Sequence, residues 1–134
     1  MAKLGRYSAQ RRKVEVIDAS SANASKTVEV HDCGTLFFID ATNNVTITMP
    51  AIAAAGNGWW CEFHLGTAVA SGKSVVINLA AADGNSDANL IEAADSGTKV
   101  SATNSDLTLA TACPIGTKVV YECINGKYFI HTTA

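Results

Sequence analysis

Short runs in which every second residue is apolar recur along this chain, and no helical period replaces them. Residues 13–18 read KVEVID, 26–32 KTVEVHD, 34–40 GTLFFID, 44–49 NVTITM, 58–65 GWWCEFHL, 73–79 KSVVINL, 117–124 TKVVYECI and 127–132 KYFIHT. Successive side chains of a strand point to opposite faces, so this alternation buries one face of a sheet and leaves the other out. β-branched and aromatic residues fill the runs, and Gly, Asn, Asp and Ser separate them. Many short strands with frequent turns predict an all-β chain, a single β-sandwich or jelly roll or a small β-barrel, with an extended N-terminal arm. The expected division is a basic arm over 1–15 and a β-rich body over 16–134.

The runs also make local predictions. In 26–32, Val28 and Val30 share one face, with Thr27, Glu29 and His31 on the other. The apolar run 34–40 suits a strand buried on both faces. In 44–49, Val45, Ile47 and Met49 point inward. Trp59, Cys61, Phe63 and Leu65 share a strand face, which sends Trp60 to the opposite side, onto a second buried face or a subunit interface. Asn125-Gly126 tolerates the two positive φ angles of a type I′ turn, so the chain is expected to close with a tight hairpin. Asn43-Asn44 reads as a weaker turn of the same kind. Residues 50–57, PAIAAAGN, fit one short helical turn. Residues 80–97 read as a long loop with a short strand around Leu90 and Ile91. No internal repeat stands out.

At 134 residues the chain has the length of one domain and enough apolar residues (48%) for a core. Charged residues are only 16%, against about 25% in average globular proteins, which suggests surface covered by other subunits. Lys3, Arg6, Arg11, Arg12 and Lys13 make residues 1–13 carry +5, while the remainder carries −7. A basic arm on an acidic body is built to dock on a negative surface. One short basic run is a poor footprint for nucleic acid, so direct nucleic-acid binding is not expected. No apolar stretch follows the N-terminal charge as in a secretory leader, and no run reaches the ~20 residues of a membrane span. Synthesis in a reducing cytoplasm, without membrane insertion, is the expectation. Cys33, Cys61, Cys113 and Cys123 then read as small buried hydrophobes, the alternative being disulfides formed after release from the cell.

Motifs for chemistry are incomplete. Gly66, Gly72, Lys73 and Ser74 resemble a phosphate loop with one residue too many between the glycines and a strand where a helix is needed. Asp83, Asn85 and Asp87 open like a calcium loop, but Ala88 and Ala94 stand where Gly and a bidentate Glu belong. His31, His64 and His131 lie in predicted strands, apart from one another, with no metal-binding pair. No Ser sits in a nucleophile elbow, and no two acids are singled out. The expectation is a protein that is not an enzyme and needs no cofactor or metal.

Three segments carry a resemblance: Arg11-Arg12-Lys13-Val14-Glu15-Val16; the strand Gly34–Asp40 followed by NVTITMPAIAAAGNGWWCEFHLGTA; and the hairpin Asn125-Gly126-Lys127-Tyr128-Phe129. Together they resemble small structural proteins of tailed bacteriophages, in particular head decoration or cement proteins. The likeness covers most of residues 11–130, with residues 80–110 carrying little of it. It implies a β-rich subunit, commonly a homotrimer, made in the host cytoplasm and seated on the outer surface of the mature head. Its partners would be the major capsid protein and its own copies. An arm of Lys3, Arg6, Tyr7, Arg11, Arg12 and Lys13 would order on the capsid. Related patterns in tail and fibre proteins leave open a tail, fibre or spike component that binds a receptor or glycan.

Overall fold

A computed structural model describes residues 11–83, 90–93, 100–102 and 106–133. The strands are β1 (Val14–Asp18), β2 (Ala24–Thr27), β3 (Leu36–Asp40), β4 (Val45–Thr48), β5 (Trp60–Leu65), β6 (Val75–Asn78), β7 (Leu90–Ala93), β8 (Val100–Ala102), β9 (Asp106–Leu109), β10 (Lys118–Ile124) and β11 (Lys127–Thr133). One helical turn, α1 (Ile52–Ala55), falls within residues 50–57 as expected. The strands form two sheets, ordered β1-β3-β5-β10-β11-β7 and β2-β4-β6-β9-β8, and neither closes into a barrel.

The chain alternates between the sheets through its first six strands. β1, β3 and β5 run parallel in the first sheet, and β2, β4 and β6 run parallel in the second. Val14 lies beside Leu36, and Leu36 beside Glu62, so successive coils of a flattened solenoid take 22 and 26 residues. Like side chains therefore stack across coils. Phe37 pairs with Phe63 in register, their rings stacked at 5.2 Å. Ile47 lies between Lys26 and Ile77. Of the later strands, β7 joins β11 in parallel and the other pairings are antiparallel: β10 joins β5 to β11, and β9 joins β6 to β8. This winding is neither a jelly roll nor a barrel. It remains all-β, with one core between two sheets.

Asn125-Gly126 makes the expected turn, with φ of 51° and 76°, and β10 and β11 pair along seven positions. Asn43-Asn44 does not make a hairpin. It turns the corner from one sheet to the other, and its side chains tie the coils together. Asn43 Nδ2 donates to Ala19 O at 2.7 Å, Asn23 Oδ1 accepts from Asn44 N–H at 3.2 Å, and Asn44 Oδ1 accepts from Ser74 N–H at 3.0 Å. The turn ending in Gly72 likewise precedes a change of sheet, from β5 to β6, rather than a hairpin.

Four further expectations need correction. The strand expected over 26–32 stops at Thr27. A 3-10 turn follows at Val30–Asp32, because Asp32 Oδ2 accepts from Glu29 N–H at 2.8 Å and bends the chain. Val30 and His31 are exposed there. Residues 34–40 are buried on one face only. Phe37 and Ile39 are inside, but Phe38 is exposed. The body begins at Val14, inside the expected arm. Cys61, Cys113 and Cys123 are buried as expected, while Cys33 is exposed, and all four are free thiols.

Candidate functional site

The outer face of the six-stranded sheet gathers what the sequence scatters. Side chains at alternate positions of β1, β3, β5, β10 and β11 fall into three rows across the sheet. One is Trp60, Glu122 and Phe129. The next is Val14, Leu36, Glu62, Val120 and His131. The third is Val16, Phe38, His64, Lys118 and Thr133. Four of the six most exposed large apolar side chains among the described residues, Val14 (56%), Val16 (61%), Phe38 (43%) and Ile124 (42%), lie here, while Val30 and Ile115 lie in connections. Leu36, Trp60, Val120 and Phe129 are half-buried on the same face. Clustered exposure of this kind marks an interaction surface more often than scattered exposure does.

Glu62 is the centre of this face and is only 8% exposed. Its Oε2 accepts from Arg12 at 2.9 Å, lies 3.2 Å from His64 Nε2, and is 3.8 Å from Lys118 Nζ. Burial pushes its carboxyl upward. The hydrogen bonds from Arg12 and His64 and the charges of Arg12 and Lys118 outweigh that and hold it below the usual carboxylate range. The Arg12 guanidinium also lies over the Trp60 ring, 5.2 Å from its centroid. Trp60 packs beside Gly34, where an added Cβ would come within 3.7 Å of the ring. With Gly58, Glu62, Val120, Glu122, Ile124 and His131, Trp60 lines a shallow depression of about 520 Å³.

The expected arm residues divide. Lys3, Arg6 and Tyr7 lie outside the described residues. Arg11 is exposed. Arg12 and Lys13 are bound to the body. Lys13 Nζ reaches Asp32 Oδ1 at 3.3 Å. Asp32 is buried and, against the upward push of burial, is held below its ordinary range by the Glu29 N–H and by Lys13 and Lys26. Arg12 bonds to Glu62 on the outer face of the sheet and Lys13 to Asp32 in the 3-10 turn, so the two hold the start of β1 at different places. Of the calcium-like segment, Asp83 accepts from the Ile52 N–H at the start of α1 at 2.9 Å, while Asn85 and Asp87 lie outside the described residues. His64 bonds to Glu62, His131 is exposed on the same face at the rim of the depression, and His31 is exposed elsewhere. Among the described residues no group of three His, Cys, Asp or Glu is placed to hold a metal ion. No described helix is long and apolar enough to cross a membrane.

Sequence reasoning placed Trp60 opposite the core but did not single out Glu62, Phe38 or Lys118. The available signal was one acid, Glu62, on the face of β5 opposite Cys61 and Phe63. Comparison with protein-family models, with curated proteins and with solved structures finds no match for this chain.

Proposed function

We propose that this protein is a structural subunit of a bacteriophage virion, a decoration or cement protein that binds the outer surface of the mature head and stabilises its lattice. It acts without catalysis or cofactor, and its partners are the major capsid protein and its own copies, as a homotrimer. The observation that carries this reading is the outer face of the six-stranded sheet. Its apolar rows need cover, and its central carboxylate is already neutralised within the chain, so docking there does not strand a buried charge. The segments that carry the resemblance support it. Residues 11–16, 34–40 and 58–65 are far apart in sequence yet reach three adjacent strands of this sheet, and 125–129 open β11 on the far side of β10, while 44–49 of the same likeness lie in the five-stranded sheet. An oligomer with several weak contacts would bind a repeating lattice by effective concentration, and would stabilise whichever lattice state presents the sites.

The test is cosedimentation of the purified protein with expanded and unexpanded heads of its phage. Binding to expanded heads is expected, with at least a tenfold loss (about 1.4 kcal/mol) for Phe38→Glu. Removal of residues 1–10 tests the arm without cutting the Arg12 and Lys13 bridges. No binding to either head form would sink the proposal. The depression beside Trp60 favours a second reading, a tail, fibre or spike module that binds a glycan. An aromatic face flanked by Glu62, Glu122 and His131 suits a sugar's apolar face and hydroxyls. A glycan array with a Trp60→Ala control separates the two.

A further inference from the structure

The two ends of the sandwich match in strand direction. β1 and β7 are the edges of the six-stranded sheet, and β2 and β8 those of the five-stranded sheet. Following the pairings across each sheet, β7 runs the same way as β1, because the reversals at β10 and β11 cancel. By the same count β8 runs the same way as β2. A second copy moved along the stack would therefore bring β7 beside β1, and β8 beside β2, both in parallel.

The β1–β2 end has backbone groups to offer. Leu36 N–H donates to Lys13 O at 2.9 Å, and Ala19 N–H donates to Asp40 O at 3.3 Å. Successive residues of a strand turn their backbone groups to opposite edges, so Lys13, Glu15, Ile17 and Ala19 face β3. Val14, Val16 and Asp18 then direct N–H and C=O along the free edge. In β2, Ala24 and Val28 donate toward the neighbouring strand, which leaves Ser25 and Thr27 facing outward. Edges that must stay alone carry Lys, Pro or a bulge. β1 has no Lys or Pro and, beside Glu15 and Asp18, carries two exposed valines continuous with Phe38 on the outer face, while the Lys of β2, Lys26, is bound to Glu15. The core at this end is closed by the Glu15–Lys26 bridge at 2.6 Å, with Lys26 Nζ 5.8 Å from the Phe37 ring centroid. Among the described residues no strand pairs with that sheet edge, which fits an added strand.

We propose that this protein self-associates head to tail, the β1–β2 edges of one copy pairing with the β7–β8 edges of the next. Such an interface is heterologous, so it closes into a ring or runs on as a filament. It specifies the self-association of the functional reading above and is independent of capsid binding, so either can fail alone.

The experiment is residue-level amide exchange on the full chain across a dilution series, with mass in solution followed by sedimentation. Expected is an oligomer in which the amides of Val14, Val16, Asp18, Ser25 and Thr27 exchange on the order of tenfold or more slower than in the diluted monomer. Val16→Pro removes an edge donor that β3 does not use, and Glu15 before it is already extended as proline requires. That variant is expected to keep the β spectrum and sediment as a monomer. If it fails to fold, the exchange data on the unaltered chain still decide. A monomer at every concentration would overturn the proposal, as would an oligomer with these amides unprotected. Protection in the monomer would mean that the chain itself covers the edge, and would overturn it too.

Discussion

At the residue scale the protein turns on Glu62. A carboxylate in the middle of an apolar sheet face is costly unless it is paired, and Arg12, His64 and Lys118 supply the partners. Replacing it by Gln leaves two cations facing a neutral amide. With the cations part-exposed, a loss of about 1–2 kcal/mol is expected, read from urea unfolding at neutral pH. The pH dependence has a definite sign. A carboxyl held below its usual range stabilises the fold above that range and loses the contribution as pH falls through it. Glu62→Gln is therefore expected to flatten the acid limb of the stability curve below about pH 4.5. An unchanged acid limb would count against the pairing.

At the scale of elements, two kinds of turn do different work. The Asn125-Gly126 turn is local, and its positive φ angles at both positions favour these residues. Gly126→Ala is expected to cost about 1–2 kcal/mol, since a Cβ is disfavoured in the left-handed region, and thermal unfolding reads it. Nothing lies within 4 Å of the added Cβ, so the cost is conformational rather than steric. The Asn43-Asn44 turn is tertiary. Its asparagines bond to Ala19, Asn23 and Ser74 in neighbouring coils, which no local rule reveals. β8 and β9 were not anticipated at all. Residues 98–109 mix Thr, Ser and Asn with isolated apolar positions, and pairing with β6 on one side and β8 on the other makes a strand of Asp106–Leu109.

At the scale of the whole molecule, the Arg12–Glu62 clamp ties the first coil to the sheet beyond it and the Lys13–Asp32 clamp closes that coil on itself, in addition to the ladder. Arg12–Glu62 and Lys13–Asp32 both depend on carboxylates held below their usual range. Acidification is therefore expected to loosen β1 before the block of β5, β10 and β11, whose rings of Phe63, Tyr121 and Tyr128 interlock edge to face. Tyr128 Oη donates to Pro50 O at 2.7 Å, and burial raises its phenol far above the ordinary value, so it does not titrate in this range. Amide exchange compared strand by strand at pH 6 and about pH 3.5 checks this. Uniform loss of protection would refute it.

Alternation by itself determined the all-β class, seven of the strands, most of their inward faces and the closing hairpin, because side-chain period and turn chemistry are local properties; the run 26–32 kept only Lys26 and Thr27 in a strand. It could not distinguish neighbours in sequence from neighbours in space. Coils of 22 and 26 residues are too unequal to read as a repeat, and an inward face looks the same whether its strand pairs with the next run or the one after. Only the tertiary structure made the strands alternate between sheets, drew Arg12 and Lys13 out of the arm onto the body, and assembled the apolar outer face around Glu62. Those outcomes depend on long-range pairing, in which each strand's free edge takes whichever partner also buries the common core.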